Sequence, residues 1–439
     1  MNLRSTLAVW LLAFVLAPTV VRAGQPPSNE PAPAQVRRPF RGIFGAPADP
    51  SSKQSLDLSA SVFGAYDDDV FADQVGTLAT SDPGVRQSGV YGGLTAGLAY
   101  MRRGDRASLG LTGDFGLNKY EDRDPLSTYR AGADVGVQVA RRTSLSVSSA
   151  VVYSPEFRLG VFADPASLTG SLDPFTTVLP DFNLYSLAAY RTSAAASLKQ
   201  SIGAGSSLDF FYSVSHVDYV SDPFDYRSQT AGFRYLHRLS RNVSARLGYA
   251  YSGADYRQLL GLRPYRIHNI DAGIDYGRAL SFSRRTHFSF STGSAVVAAD
   301  TEPIGNGGTD LFYRVIGSAD LTHETGRTWT TRLSYRRGID FHEGFRDPFL
   351  SDAVSAGLNG FIARRLKFSS GADYAFGKVG VTGDSGYSSA SANAGLEFAL
   401  SRVVALFGRY VYYRYEFDRQ VALDPRLARS FDRQGCGSG

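Results

Sequence analysis

The feature that most constrains this chain is a two-residue alternation of apolar and polar side chains, which recurs from about residue 54 almost to residue 439. In the segment 55–66, Leu56 and Leu58 alternate with Asp57, and the same pattern returns at 128–140. A period of two places successive side chains on opposite faces of a β-strand. The sequence therefore predicts strands with one apolar and one polar face.

The length of these segments indicates the solvent. They last about 11–14 residues, whereas strands of soluble proteins usually have about 5–6. A tilted strand that crosses a bilayer needs about 9–11 residues. The segments are therefore interpreted as transmembrane strands.

The connections between the segments alternate in length. Short turns with arginine, such as Arg102–Arg106 and Leu239–Asn242, join the segments in pairs, and longer stretches rich in Asp, Pro and Gly, such as Asp73–Arg86 and Ser154–Phe182, separate the pairs. A propeller has a similar repeat length, but its strands are shorter. Short turns at one end and long loops at the other are typical of outer-membrane barrels.

The predicted fold is an all-β, transmembrane, antiparallel, up-and-down β-barrel of about 18 strands. Single-chain bacterial barrels have an even number of strands, so an eighteenth is expected after a loop at 417–427. Leu427–Gln434 is predicted to begin that strand, and the following GCGSG is predicted to cut it short. The other seventeen are predicted at 55–66, 88–101, 106–118, 128–140, 143–153, 183–197, 206–218, 228–239, 242–253, 266–279, 285–297, 309–323, 327–339, 350–363, 366–377, 387–399 and 402–416.

The chain is predicted to have four parts. Residues 1–23 are interpreted as a secretory signal peptide, with a basic start, an apolar stretch and small residues before the cleavage point. Residues 24–54 are a Pro-rich periplasmic linker, 55–434 the outer-membrane barrel and 435–439 an irregular tail. A single cysteine, Cys436, fits an exported protein in an oxidising compartment. The predicted location is the outer membrane of a Gram-negative-type bacterium, with the N-terminus in the periplasm.

Several functions are disfavoured by what the sequence contains. The 46 basic residues are spread along the chain without a cluster interleaved with aromatic residues, which disfavours binding of nucleic acid. The six histidines lack the HExxH or HxxxH spacing of zinc sites, and no GxSxG or P-loop motif occurs. We therefore expect no enzymatic activity and no cofactor.

Two sets of polar residues are candidate sites. Asp67, Asp68 and Asp69 could hold a divalent cation, although they lack the ligand spacing of a calcium loop and a solvated loop is favoured. The alternation places a larger set on the inner face, where opposed charges across the pore would select among solutes. The predicted pore-lining residues are Arg130, Asp134, Gln138, Arg234, Arg246, Asp271, Asp275, Arg332, Arg336, Asp373, Asn393, Glu397 and Arg409.

Aromatic residues are predicted to form an outer girdle near the long-loop ends of the strands, at the level of the lipid headgroups. The predicted members are Tyr120, Tyr129, Tyr153, Tyr249, Tyr251, Tyr276, Tyr335, Tyr374, Phe376, Tyr410 and Tyr412.

The N-terminal signal, the Pro-rich lead, the segment GAYDDDVFAD at Gly64–Asp73 and the repeated arginine turns resemble the outer-membrane β-barrel porin families. The similarity is greatest to the second β-barrel porin family, which is sometimes found with exopolysaccharide export loci. This resemblance implies a porin-like protein whose partners are outer-membrane lipid and lipopolysaccharide, the barrel-assembly machinery and polysaccharide-export components.

Three functions remain open from the sequence. The first is an aqueous pore for small hydrophilic solutes or ions, since barrels of 16–18 strands enclose a channel. The second is an accessory barrel of exopolysaccharide export. The third is a structural or surface-binding barrel without an open pore, in which the long segment 154–182 engages a partner or fills the lumen.

Overall fold

The computed structural model describes residues 53–68, 88–121, 124–155, 157–158, 183–185, 187–220, 225–256, 265–280, 285–300, 309–326, 328–342, 345, 348–380, 385–421, 423 and 429–439. The predicted signal peptide and nearly all of the predicted linker lie outside these residues. The strands are β1 Gln54–Asp67, β2 Gly89–Arg103, β3 Ala107–Tyr120, β4 Leu126–Ala140, β5 Thr143–Ser154, β6 Phe157–Arg158, β7 Asn183–Tyr185, β8 Ala189–Ser201, β9 Ser206–Tyr219, β10 Tyr226–Arg238, β11 Val243–Tyr256, β12 Tyr265–Ala279, β13 Thr286–Asp300, β14 Thr309–Thr325, β15 Trp329–Asp340, β16 Phe349–Ala363, β17 Leu366–Val379, β18 Gly386–Ala399, β19 Ala405–Phe417 and β20 Ser430–Ser438.

Eighteen of these strands form one closed sheet. Each pairs antiparallel with the next along the chain, and β1 pairs with β20 to close the barrel. The short strands β6 and β7 pair with each other in a separate sheet within the connection from β5 to β8. The prediction of an antiparallel, up-and-down, 18-stranded barrel is confirmed.

The last strand differs from the prediction. It continues to Ser438, so residues 435–438, predicted as an irregular tail, belong to β20. This strand pairs with β19 over nine positions and with β1 over the four positions Gly64–Asp67. The predicted strand 183–197 is also divided, because Asn183–Tyr185 pairs with β6 and the barrel strand begins at Ala189.

The two faces of the barrel differ in chemistry. Large apolar side chains such as Leu58, Val62, Val90 and Tyr313 project outward with 65–72% of their surface exposed. The inner face carries mostly serine, threonine and charged residues, together with buried aromatic residues. An apolar exterior and a polar interior invert the arrangement of a soluble protein and suit a strand that faces lipid.

The turns at the two ends follow the predicted alternation of length. The β14–β15 turn contains Gly326, whose φ of 67° lies in the left-handed region that glycine enters without steric cost. No helix in the described part of the chain is long and apolar enough to cross a membrane.

The aromatic girdle is only partly as predicted. Tyr129, Tyr153 and Tyr190 pack together on the outer face near the long-loop end, with ring centroids 4.7 and 4.9 Å apart along the row. Tyr120, in contrast, lies on the inner face, is 8% exposed and stacks on Tyr91. Its prediction was wrong because it was assigned from its position near a loop, and the alternation along β3 places it inward.

Tyr276 lies on the outer face but at the opposite end of the barrel from the predicted girdle. It packs against Phe288 and Phe290 near the short turn from β12 to β13. Aromatic rings therefore mark both ends of the outer surface.

Candidate functional site: the inner face of the barrel

The strand registers place all the predicted pore-lining residues on the inner face. In each case the residue shares a cross-strand row with other inward residues, and the exposed apolar side chains occupy the opposite face. Arg130 is opposite Asp114, for example, and Asp373 is opposite Ser355. The other predicted residues also lie opposite inward residues of neighbouring strands: Asp134, Gln138, Arg234, Arg246, Asp271, Asp275, Arg332, Arg336, Asn393, Glu397 and Arg409.

One charged cluster spans β10, β11 and β12. Arg246 Nε lies 2.7 Å from Asp271 Oδ2, and Arg234 Nε lies 3.4 Å from the same oxygen. Arg246 also bonds to Asp275 through Nη1. The Arg234 side chain is 43% exposed and that of Arg246 is 10% exposed. The predicted residues of these three strands therefore form one mutually paired group, called here the wall cluster.

A glycine makes room for the wall cluster. A Cβ atom at Gly293 on β13 would lie 2.8 Å from Asp271 Oδ1 and 3.5 Å from Arg246 Nη2. Contacts under 3.0 Å require something to move. Glycine at this position therefore leaves room for the Asp271 carboxylate beside β13.

Further ion pairs join neighbouring strands elsewhere on the wall. Glu397 lies 3.1 Å from Lys367 and 3.6 Å from Arg409, which links β17, β18 and β19. Arg332 lies 3.6 Å from Asp320, whose Oδ1 also accepts a hydrogen bond from Ser334 at 2.9 Å. These charges are paired with side chains on adjacent strands. The expectation of opposed charges acting across the pore does not describe these pairs.

A buried ion pair, which was not predicted from the sequence, lies at the seam between β20 and β1. Arg433 Nε donates to Asp67 Oδ1 and Oδ2 at 2.8 and 3.0 Å, and its Nη1 donates to Tyr413 at 3.3 Å. The side chains of Arg433 and Asp67 are 6% and 0% exposed. Extending the alternation into β20 would have placed Arg433 inward. We call these three residues the seam cluster.

The seam cluster bears on the predicted divalent-cation candidate. Asp67 is bonded to Arg433, and Asp68 accepts a hydrogen bond from the backbone N–H of Gln434 at 2.8 Å. Asp69 lies outside the described residues. The described part of the chain contains no group of three His, Cys, Asp or Glu side chains that could hold a metal ion. The described carboxylates of this segment thus hold β20 against β1.

The long-loop end of the lumen contains an apolar cluster that the sequence analysis did not predict. Phe345 packs against Phe349 and Phe417 with centroid separations of 4.8 and 5.3 Å. The same cluster includes Val217 and Tyr219 of β9. Val379 of β17 belongs to the same cluster. Because seven of the eighteen barrel strands lie between β9 and β17, the buried residues come from opposite walls. The cluster, called here the mouth cluster, therefore bridges the lumen. Its buried members are Leu187, Ala189, Val217, Tyr219, Tyr226, Ala254, Phe345, Phe349, Val379, Tyr387, Tyr415, Phe417 and Val421.

No protein-family model and no curated protein matches the chain. Among solved structures, the chain is similar to OccK2 (OpdF) of Pseudomonas aeruginosa, solved in complex with glucuronate, at 12% identity and a TM-score of 0.43, over 88% of this chain and 97% of that one. It is similar to OpdL of the same organism at 15% identity and a TM-score of 0.40, over 89% and 98%. It is also similar to the FrpB iron transporter of Neisseria meningitidis (F3-3 variant) at 9% identity and a TM-score of 0.42, and it spans 64% of that protein's length with 86% of its own.

Proposed function

We propose that this protein is a porin-like barrel of the outer membrane that forms an aqueous pore for small hydrophilic solutes or ions. The observation that carries the proposal is the closed sheet of 18 strands with an apolar outer face and a charged inner face. Barrels of 16–18 strands are wide enough to enclose an aqueous channel. Paired charges on its wall would keep the lumen hydrated and weight it towards hydrophilic solutes.

The mouth cluster adds a gate to this proposal. An apolar constriction excludes water and so stops ion flow without a covalent barrier. Phe345 and Phe349 are 2% and 0% exposed, so the interior of the mouth cluster is dry. On this proposal, conduction requires Phe345 to move away from Phe417. We therefore expect brief openings separated by long closures.

Single-channel recording tests the proposal. The purified, refolded protein is added to one side of a planar bilayer in KCl, and stepwise current is expected. Folding is checked first by the change in mobility on SDS gels after heating, so that a missing current cannot be attributed to an unfolded sample. Folded protein that gives no step at any voltage would contradict the pore.

A barrel without an open pore is the second candidate, and the mouth cluster favours it. If the apolar contacts between the walls never separate, the same architecture serves as a structural or surface-binding barrel. Liposome swelling distinguishes the two candidates. A pore admits small sugars and swells the vesicles, whereas a permanently closed barrel leaves their volume unchanged.

The finer assignments rest on the sequence. We propose a Gram-negative bacterium, a cleaved signal peptide at 1–23, a periplasmic N-terminus, and contacts with outer-membrane lipid, lipopolysaccharide and the barrel-assembly machinery. The resemblance around Gly64–Asp73 supports a further role in exopolysaccharide export together with polysaccharide-export components. Deletion of the gene is then expected to lower secreted polysaccharide, and unchanged secretion would contradict that role.

A further inference from the structure

The end of the barrel with the short turns carries a concentration of exposed basic side chains. In the described ranges they lie in the short turns, just before β1, or at the last two positions of the strands that lead into the turns. These thirteen residues are Lys53, Arg102, Arg103, Arg106, Arg141, Arg142, Arg238, Arg241, Arg278, Arg285, Arg364, Arg365 and Arg402. Among the described residues at the same positions, Asp105 is the only exposed carboxylate. We call this positive surface the basic rim.

Backbone hydrogen bonds hold the turns of the basic rim side by side. The carbonyl oxygens of Arg106, Arg142, Arg285 and Arg365 each accept a hydrogen bond from a backbone N–H of the next hairpin, at 2.7–2.8 Å. Neighbouring strands of a sheet are about 4.8 Å apart, so successive turns follow each other at about 10 Å. The arginines are therefore repeated at regular intervals around the barrel.

Apolar side chains lie beside these arginines in the same turns. Val139, Leu239, Leu280, Ile362 and Val403 are 56–84% exposed. The alternation along β4, β10, β12 and β16 places the first four on the outer face. A positive surface with apolar side chains on its outer side is typical of protein segments that lie in the headgroup layer of a membrane.

Aromatic rings indicate the depth of the basic rim in the membrane. On the outer face near the short turns, Trp329 packs against Phe368 and Tyr276 against Phe290, with ring centroids 6.1 and 5.5 Å apart. Such rings prefer the level of the lipid headgroups. The short turns lie just beyond them, and arginine can extend its apolar stem along the surface while its guanidinium reaches the phosphates.

The long-loop end differs in its charge. Arginines of the outer face there lie close to carboxylates: Arg414 Nη2 is 3.0 Å from Glu416 Oε2, and Arg227 is directly opposite Asp255. Positive charge that neighbouring carboxylates do not compensate is therefore concentrated at the short-turn end.

We propose that the basic rim binds the headgroups of anionic phospholipids in the periplasmic leaflet. Short turns face the periplasm in bacterial outer-membrane barrels, and phospholipids form that leaflet. A guanidinium binds a phosphate through two parallel hydrogen bonds. The extra negative charge of phosphatidylglycerol over a zwitterionic lipid then gives the basic rim its preference. The inference rests on the proposed outer-membrane location but does not require the pore to conduct.

The exposed apolar residues favour lipid over a soluble anion. Leu239, Ile362 and Val403 would stay in water if the arginines bound a soluble acidic partner, whereas the acyl chains beneath a headgroup remove apolar surface from water. Phospholipid satisfies both halves of the surface.

Electron paramagnetic resonance of spin-labelled lipids tests the proposal. The full-length protein is reconstituted in phosphatidylcholine vesicles with a trace of labelled phosphatidylglycerol or labelled phosphatidylcholine, and the immobilised fraction of each label is compared. Phosphatidylglycerol is expected to associate with the protein about 2–4-fold more strongly than phosphatidylcholine. The preference should disappear in about 1 M NaCl, where the Debye length falls to about 3 Å.

A matched pair of triple variants localises the preference. Arg142→Glu with Arg241→Glu and Arg364→Glu reverses three charges of the basic rim and is expected to lower the preference by about half. The control makes the same change of charge at the long-loop end.

The control substitutions are Arg227→Glu, Arg414→Glu and Arg419→Glu, and they should leave the preference unchanged. Folding of every variant is checked by the shift in mobility on SDS gels after heating, and a variant that fails to fold is replaced by its Arg→Gln counterpart with about half the expected effect.

The outcomes separate this proposal from its alternatives. A folded wild type without a preference for phosphatidylglycerol overturns it and leaves the basic rim to a soluble anion or an acidic protein. A preference that survives in the rim variant, or that falls equally in both variants, also overturns it. Current is recorded from the same preparation, so that a preference without any current would contradict the pore and support the lipid site.

Discussion

Two opposite sides of the barrel use charged residues differently. On the side of β10, β11 and β12, the wall cluster is partly exposed: Arg234 is 43% exposed, whereas Asp271 and Arg246 are 16% and 10% exposed. On the side of β19, β20 and β1, the charges of Arg433 and Asp67 are buried beneath aromatic rings, and Tyr413 is 0% exposed. Pairs of arginine with aspartate therefore face the lumen on one side and hold the closing strands together on the other. Burial, more than charge, separates the two roles.

The physical basis of this difference is the cost of desolvation. A buried ion pair is strongly destabilising when one partner is removed, because the other charge stays buried without compensation. A partly exposed pair such as Arg234–Asp271 contributes only about 0–1 kcal/mol because water screens it. The seam cluster should therefore govern stability, and the wall cluster should govern the electrostatics of the lumen.

The largest effect is expected at the seam. Asp67→Asn leaves the Arg433 cation buried without a carboxylate and is expected to destabilise the barrel by roughly 3–5 kcal/mol. Urea unfolding in lipid vesicles, followed by tryptophan fluorescence, measures this loss. Asp57→Asn, on the inner face of the same strand, is the matched control and is expected to stay within about 0.5 kcal/mol of wild type.

A double substitution sharpens the prediction for the seam. Replacing both partners, as in Asp67→Leu with Arg433→Met, removes the uncompensated charge and should recover most of the stability. Equal stability of Asp67→Asn and Asp57→Asn would show that the seam and the open wall do not differ.

An intermediate effect on stability is expected at the mouth cluster. Phe345→Ala removes a ring that packs on Phe349 and on Phe417 of β19. The free energy of unfolding is expected to fall by up to about 3 kcal/mol. The open probability or the conductance is expected to rise about twofold or more. Single-channel recording and urea unfolding measure the two changes. Phe376→Ala removes an outward ring instead and should leave the current unchanged. Wild-type current in Phe345→Ala would mean that the mouth cluster does not control the pore.

The smallest effect on stability is expected at the wall cluster. Asp271→Asn removes the carboxylate shared by Arg234 and Arg246, so the lumen becomes more positive. The ratio of anion to cation permeability is therefore expected to rise by up to about fivefold, which is equivalent to about 1 kcal/mol. Arg246→Gln should shift it towards cations. Reversal potentials in a KCl gradient measure both, and shifts of the same sign would contradict an electrostatic role.

Much of the inner wall could be predicted because strand geometry is local. Arg130, Arg234 and Glu397 were assigned inward from the alternation alone, since a period of two fixes the face of every residue in a regular strand. Which inward residues contact each other could not be predicted. Asp271 meets Arg234 from two strands away, and that pairing depends on register and on the space beside Gly293.

The errors have similar causes. Tyr120 was assigned to the outer girdle from its position near a loop, and residues 435–438 were assigned to a tail because they lack the apolar and aromatic residues with which a terminal strand normally finishes. In the structure, Tyr120 stacks inward on Tyr91, and Gly435–Ser438 pairs with both β19 and β1. Composition is a poor guide where pairing with neighbouring strands decides the conformation.

The sequence by itself determined that this chain is a barrel, how many strands it has and which face of each strand points inward, because side-chain alternation and strand length act within single strands. Only the tertiary structure decided that Arg433 meets Asp67 across 366 positions of sequence, that Asp373 pairs with Ser355 and Ser391 on the neighbouring strands, and that an apolar cluster bridges the mouth. These features arise from pairing and packing between strands that are distant in the sequence, and closure of the barrel brings them together.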